Sequence, residues 1–178
     1  MINNYVKIDS SRSTELQLIR KGFFKPVYTL TDGQFEYGTL SCRDIWQREK
    51  NIITSDGEWI VRCIGFLGKE TLIIDALKSE VVGKITRNGW GTKTAIEMNN
   101  GFNAALTCGK GFFSRTLNWT NDQYGDCIQV KTTCKCTRPF TVSIDQELAK
   151  TKFPLALITL IGVNLVLLRQ AEAAAIAT

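Results

Sequence analysis

The stretch that decides the fold is FPLALITLIGVNLVLL, from Phe153 to Leu168, in which sixteen residues follow one another without a charge. Apolar side chains lie all round a helix built from it, and only Thr159 and Asn164 are polar. Thr151 can cap its start, and Pro154 suits a first helical turn, where its missing N–H costs little. A helix that is apolar on every side is buried either in protein or in lipid.

The length of this stretch does not decide between the two locations. Sixteen helical residues rise about 24 Å, which is less than the roughly 30 Å hydrocarbon core of a bilayer. Lys150 and Lys152 before the stretch and Arg169 after it give no charge asymmetry that would orient an anchor. The sequence therefore predicts a helix over about 152–169 with a frayed tail over 170–178. A buried core helix and a tail anchor both stay open.

From about Leu16 to Ile144, before this helix, the chain consists of short runs in which apolar and polar residues alternate. Trp59, Val61 and Cys63, for example, share one face of a run that follows the turn Ser55-Asp56-Gly57. A period of two with many β-branched and aromatic residues predicts strands. Counting the runs gives about twelve strands at spacings of about ten residues, which is typical of a sandwich or a barrel.

A faint internal repeat runs through the strand region. Three segments each contain a strand, an acidic turn and a second strand with a glycine. The glycines Gly38, Gly83 and Gly125 lie 45 and then 42 residues apart. The acidic residues of the three turns are Asp32, Asp75 and Asp122. One hairpin used three times explains this pattern, with glycine at a bulge or a close backbone approach. The ordinary recurrence of hairpins in antiparallel proteins explains it equally well.

The order of these parts resembles the tubby C-terminal-like superfamily, which includes tubby proteins, phospholipid scramblases and LURP-one-related proteins. Thr71–Asp75 followed by Glu80–Arg87 is similar to that superfamily's hairpin of strand, Asp, turn and Val-Gly-Lys-Ile. The resemblance covers about residues 16–169. It implies one mainly β domain over 1–178, a closed antiparallel barrel of about twelve strands around one hydrophobic C-terminal helix. A filled lumen would also explain strands that are apolar on both faces.

The resemblance to tubby proteins implies binding of an anionic phospholipid or phosphoinositide by basic side chains. The candidate head-group residues are Lys84 and Arg87, with Lys78 and Lys93 nearby in sequence. Residues 61–110 contain seven basic and four acidic residues, a net charge of +3. An ordinary solvated barrel face is the alternative interpretation of these residues.

The resemblance to scramblases implies a calcium site just before the C-terminal helix, where Asp145 and Glu147 stand. Two carboxylates are few for a cation that takes six to eight oxygen ligands. A polar turn leading into the helix is the alternative. We therefore expect no metal and no cofactor, with Asp145 and Glu147 as weak metal candidates.

The sequence contains no recognisable set of catalytic residues. The 178 residues include no histidine, which excludes Ser-His-Asp and Cys-His nucleophile systems and histidine metal sites. The glycines of Gly109-Lys110-Gly111 lack the spacing of a phosphate loop. We expect a protein that is not an enzyme, with no identifiable small-molecule substrate.

The partner that the resemblance implies is an anionic membrane lipid or an unknown protein. The 22 Lys and Arg against 17 Asp and Glu give a net charge of +5, without the dense basic stripe that nucleic acid requires. Met1 to Arg20 contains no signal-peptide core. The expected location is the cytoplasm, with peripheral contact to a membrane. The alternative is a single-pass protein anchored by helix 153–168.

The six cysteines are expected to be free thiols that fill the core. Their scatter and the absence of a secretory signal argue against a disulfide framework. Cys134 and Cys136, the one close pair, share a face of the run that contains Ile128 and Val130.

Overall fold

The computed structural model of the protein describes residues 4–8, 15–43, 49–64, 70–87, 94–108, 116–133 and 137–176. Within these residues twelve antiparallel strands form a closed barrel, in which each strand pairs with its neighbours in sequence and β1 closes onto β12. The strands are β1 (Glu15–Lys21), β2 (Val27–Thr31), β3 (Glu36–Cys42), β4 (Glu49–Thr54), β5 (Gly57–Ile64), β6 (Glu70–Asp75), β7 (Glu80–Arg87), β8 (Thr94–Met98), β9 (Asn103–Cys108), β10 (Thr116–Asn121), β11 (Gly125–Thr132) and β12 (Phe140–Ile144). The predicted fold class is confirmed.

A hydrophobic helix fills the barrel. After the short helix α1 (Gln146–Ala149), the chain enters α2 (Leu155–Ile176), and every residue of α2 from Leu155 to Val166 is buried. The inward residues of the strands, such as Leu18 and Ile52, are also completely buried. The structure therefore places the apolar stretch in the barrel core, because a closed sheet offers it an apolar wall on every side.

Helix α2 is longer than the sequence predicts. It continues to Ile176, through the alanine-rich segment expected to fray, and its 22 residues rise about 33 Å. Alanine has the best helix propensity, which favours continuation beyond the barrel. By length and composition Leu155–Glu172 could cross a membrane, but 67% of this window is buried inside the protein.

The two ends of the barrel differ in what they contain. At one end, which we call the mouth, β1 and β3 end, β2 and β4 begin, and the last turns of α2 emerge. At the other end, which we call the base, lie the turns β2–β3, β6–β7 and β10–β11 together with α1. This orientation follows from the alternating direction of antiparallel strands, and it decides which loops share a surface.

The three hairpins of the sequence repeat have the same construction. In each base turn a side-chain oxygen accepts from the main-chain N–H groups two and three residues later, which is the bonding of an Asx turn. The accepting residues are Asp32, Asp75 and Asn121. Each hairpin also contains one register shift, at Leu30/Thr31, Ile73/Ile74 and Trp119/Thr120. The structure thus supports one hairpin used three times, with Asn121 in place of the expected Asp122.

Gly162 of α2 allows a close approach between helix and wall. A Cβ added at this residue would lie 2.7 Å from Trp119 Nε1 on the inner face of β10. We expect Gly162→Ala to destabilise the protein by about 1–2 kcal/mol, because overpacking costs more than the ~1 kcal/mol gained in helix propensity. Thermal unfolding of G162A should show this loss. In a Trp119→Phe background, where the clashing atom is absent, the loss should shrink, and an equal loss would contradict the contact.

Removal of α2 should unfold the barrel. Each large aliphatic side chain buried by the helix contributes about 1.5–3 kcal/mol, and their sum exceeds the net stability of a typical domain. A chain that ends at Lys150 should therefore show no cooperative thermal transition by circular dichroism. A sharp transition close to that of the full chain would contradict the role of α2 as the core.

Candidate anion-binding site at the barrel mouth

Two basic side chains point into the lumen at the mouth. Side chains alternate along a strand, so Arg20 continues the inward row of Leu16 and Leu18 on β1. On β4, Lys50 shares its face with the buried Ile52, and the whole Lys50 residue is only 6% exposed. Buried lysines are rare unless they are paired, so this position calls for a partner.

A cavity of about 210 Å³ lies between these strands and the emerging part of α2. Arg20 and Lys50 line it together with Tyr28 and Cys42, and Leu167 of α2 adds an apolar wall. None of the described residues that line it is acidic. We call this cavity the mouth pocket.

Lys50 is held in place by the strand register. Cys42 of β3 faces Lys50 of β4 directly, and Lys50 Nζ donates to Cys42 Sγ at 2.8 Å. This contact fixes the Lys50 ammonium at the wall of the lumen, beside the thiol of Cys42.

Arg20 is fixed through its main chain while its guanidinium lacks a partner at one atom. The Arg20 main-chain N–H donates to Thr137 O at 2.9 Å, and Arg20 faces Tyr28 across the β1–β2 ladder. The Nε atom of Arg20 is buried and has no hydrogen-bond partner. An unsatisfied buried donor of this kind costs free energy unless a ligand or water fills it.

Tyr28 adds a hydroxyl to this set of donors. Burial raises the pKa of Tyr28 above its usual value, although the nearby Arg20 partly opposes the rise. The hydroxyl therefore stays protonated at neutral pH and can donate a hydrogen bond. A guanidinium, an ammonium and a phenol that converge on one cavity, with no carboxylate among its described lining residues, favour an anion.

A third basic side chain at the mouth, Arg87, is already paired with a carboxylate. Arg87 at the end of β7 forms two hydrogen bonds with Glu172 of α2, from Nη1 to Oε1 and from Nη2 to Oε2, both at 2.9 Å. The side chain of Arg87 is 15% exposed. The Arg87 guanidinium holds the pKa of Glu172 below its usual value, so the pair is ionised at neutral pH. This pair ties the end of α2 to the wall.

The structure does not gather the basic residues proposed from the sequence into one site. Lys84 and Arg87 are three residues apart on a strand, so they point to opposite faces. Lys84 lies outside, where its Nζ is 3.1 Å from Glu97 Oε2. Lys78 is exposed in the β6–β7 turn at the base, far along the strand from Arg87. Lys93 lies outside the described residues.

The proposed acidic pair forms a turn. Asp145 is the N-cap of α1, where its side chain accepts from the main-chain N–H groups of Glu147 and Leu148. Glu147 pairs with Lys150 at 2.6 Å. Among the described residues, no group of three or more Cys, Asp or Glu side chains is placed to hold a metal ion. Asp145 and Glu147 therefore have structural partners that account for both.

The cysteines that the structure describes with their side chains are free thiols: Cys42, Cys63 and Cys127. Cys127 is completely buried, and its Sγ donates to Trp119 O at 2.9 Å. Burial raises the pKa of the Cys127 thiol to about 11, which makes it unreactive. The predicted pair Cys134 and Cys136 lies outside the described residues.

Sequence reasoning missed Arg20 and Lys50, although a signal was present. Each is a basic residue on the inward face of its strand, two residues from a buried apolar side chain on the same face, Leu18 for Arg20 and Ile52 for Lys50. An inward cation is costly in a closed core, so its position at a strand end marks an opening to solvent or to a ligand.

Neither a protein-family model, nor a curated protein, nor a solved structure matches this chain. The functional argument therefore depends on the chain's own residues.

The Arg87–Glu172 pair should make a small, pH-dependent contribution to stability. Because the folded pKa of Glu172 is lowered, the contribution is present above the unfolded value of about 4.3 and is lost as pH falls through the folded value. We expect Glu172→Gln to lower the free energy of unfolding by about 0.5–1 kcal/mol at pH 7, the upper part of the range for exposed pairs, since the pair is bidentate.

Urea unfolding at several pH values measures this difference, which should disappear in acid. Glu97→Gln, which breaks the exposed single contact with Lys84, is the matched control and should change stability less. A Glu172→Gln effect that persisted unchanged in acid would contradict the assignment.

Proposed function

We propose that this protein is a non-enzymatic binding module whose mouth pocket takes the anionic head group of a membrane phospholipid. The observation that carries the proposal is the convergence of Arg20 and Lys50 on one cavity, whose lining contains no carboxylate in the part of the chain that the structure describes. Hydrogen bonds to phosphate oxygens from arginine and lysine are among the strongest that a protein surface offers.

The size of the mouth pocket supports a small group as the ligand. Its volume of about 210 Å³ is below the usual range of roughly 300–1,000 Å³ for sites that enclose a whole drug-sized molecule. A phosphate with part of its head group fits this volume, while the rest of the ligand stays outside. A phospholipid meets this condition because its acyl chains remain in the bilayer.

The architecture supports membership of the tubby C-terminal-like superfamily as part of this proposal. A closed twelve-stranded barrel around a C-terminal hydrophobic helix is what that resemblance implies. The proposed site differs from the one expected, since Arg20 and Lys50 replace Lys84 and Arg87 as the head-group residues. The proposed location stays cytoplasmic and peripheral at a membrane.

A tail anchor is the less favoured function for α2. Insertion of Leu155–Val166 into a bilayer would require the helix to leave the barrel and expose the inward row of every strand. The free energy of that exposure is of the same order as the gain from lipid burial, so nothing drives the exchange.

The proposal predicts that pocket substitutions weaken anion binding. Lys50→Met and Arg20→Gln should each reduce the affinity for pyrophosphate, a soluble probe, by about tenfold or more, because a hydrogen bond to a charged group contributes about 1.5–3 kcal/mol. Protection of Cys42 from alkylation, followed by mass spectrometry, reports occupancy, since Cys42 lines the pocket.

Lys84→Gln is the matched control, because it removes a basic side chain from the outer wall. It should bind pyrophosphate like the unchanged protein. Melting curves of the variants establish that the barrel is intact. Equal protection of Cys42 in the unchanged protein, K50M and R20Q would contradict the proposed site.

A further inference from the structure

Two phenylalanine side chains project from the mouth into solvent. Phe23 is 82% exposed and Phe24 is 93% exposed, and their rings meet edge to face with centroids 5.2 Å apart. They form the tip of the β1–β2 hairpin, which we call the aromatic tip. Large apolar side chains exposed side by side on a folded protein usually mark a contact surface.

The main chain holds the aromatic tip away from the barrel. Gly22 begins the turn with a φ of +81°, a left-handed main-chain conformation that residues other than glycine rarely adopt. A Cβ at this position would lie 2.9 Å from Lys25 O, so the turn closes tightly behind the two rings. Pro26 then fixes the entry into β2. The exposure of the rings is therefore built into the turn.

The aromatic tip lies directly beside the mouth pocket. Arg20 on β1 and Pro26 just before β2 flank the tip, and both line the pocket. A ligand in the pocket and a surface in contact with the tip would therefore touch the protein together.

Basic side chains surround the tip. Lys25 is exposed in the same turn, and Lys21 is 67% exposed, with a distant partner in Glu36 at 3.9 Å. Arg138 is exposed next to Thr137, whose carbonyl accepts from Arg20 N. Apolar rings inside a basic collar match the layers of an anionic membrane, in which acyl chains lie below the phosphates.

We propose that the aromatic tip inserts Phe23 and Phe24 into the acyl boundary of an anionic bilayer and so holds the mouth pocket at the depth of the lipid phosphates. The pocket's part in this arrangement rests on the proposed function. The lysine stems run along the interface while their ammonium groups stay at the head groups.

A membrane fits the tip better than a protein partner does. A stable protein interface buries about 800 Å² on each side, whereas one phenylalanine buries about 150–250 Å². Two rings alone are too small an apolar core for a protein interface, but they are sufficient for an interfacial anchor that acts together with charge. The other almost fully exposed large apolar side chain among the described residues, Leu77 at 83%, stands alone in a base turn.

Flotation with vesicles tests the proposal. The probes are vesicles of phosphatidylcholine alone and of phosphatidylcholine with phosphatidylserine, and the variant is Phe23→Ser with Phe24→Ser. The unchanged protein should float with the anionic vesicles. The double variant should lose about tenfold to a hundredfold in partition, because each inserted ring contributes about tenfold. Its pyrophosphate binding should be unchanged, since neither ring lines the pocket.

Leu77→Ser is the matched control, because it removes an equally exposed apolar side chain at the opposite end of the barrel. It should float like the unchanged protein. Full flotation of the double serine variant would contradict the insertion of the aromatic tip, while the proposed pocket would be unaffected. Loss of flotation only in the double variant, with K50M and R20Q unaffected, would support the tip and overturn the pocket. No flotation of the unchanged protein would overturn the tip and the lipid as ligand.

Discussion

The burial of α2 in the lumen is the contact on which the rest of the structure depends. A closed barrel of twelve strands is too wide for its own side chains to fill, and α2 supplies the missing apolar volume from Leu155 to Val166. Gly162 lets the helix approach Trp119 closely, and Gly38 faces Leu160 in the same way. Because the helix enters from the base and is longer than the buried stretch, its last turns must emerge at the mouth. Leu167 then walls the pocket, and Glu172 reaches Arg87.

The barrel contains one hairpin three times. Because all three hairpin turns lie at the base, the two ends of the barrel differ in the residue types of their turns. Each repeat uses an Asx turn at the base, so residues such as Asp32 and Asp75 accumulate there for reasons of local hydrogen bonding. The β1–β2 turn at the mouth is closed by the left-handed conformation of Gly22. The side chains at the tip of this turn are therefore not needed to form it. Local hydrogen bonding therefore explains why acidic residues stand in the base turns. It does not explain the exposed side chains at the tip of the β1–β2 turn.

Much of the fold follows from the sequence, and the site does not. Period-two patterning predicts strands, and the uncharged stretch after Phe153 predicts a helix that has to be enclosed, because both signals are local. The pairing of Arg87 with Glu172 joins residues that are 85 positions apart, and no local pattern shows it. Lys84 and Arg87 look like neighbours in sequence but lie on opposite faces. Arg20 and Lys50 come together only when β1 and β4 curve round the same lumen, which requires the closed topology.

The distribution of charge gives the barrel a direction relative to an anionic surface. In the described residues, basic side chains outnumber acidic ones at the mouth: Arg20, Lys25, Arg43, Lys50, Arg87, Arg138 and Arg169 against Glu49, Glu70 and Glu172. In the base turns and strand starts acidic side chains outnumber basic ones: Asp32, Asp56, Asp75, Glu80, Asp126 and Asp145 against Lys7, Lys78, Lys150 and Lys152. A negative membrane surface therefore attracts the mouth and repels the base within a Debye length of about 8 Å. The same orientation would point the aromatic tip and the pocket opening at the bilayer, so that electrostatic attraction and the two proposed contacts, ring insertion and head-group binding, would act on one face.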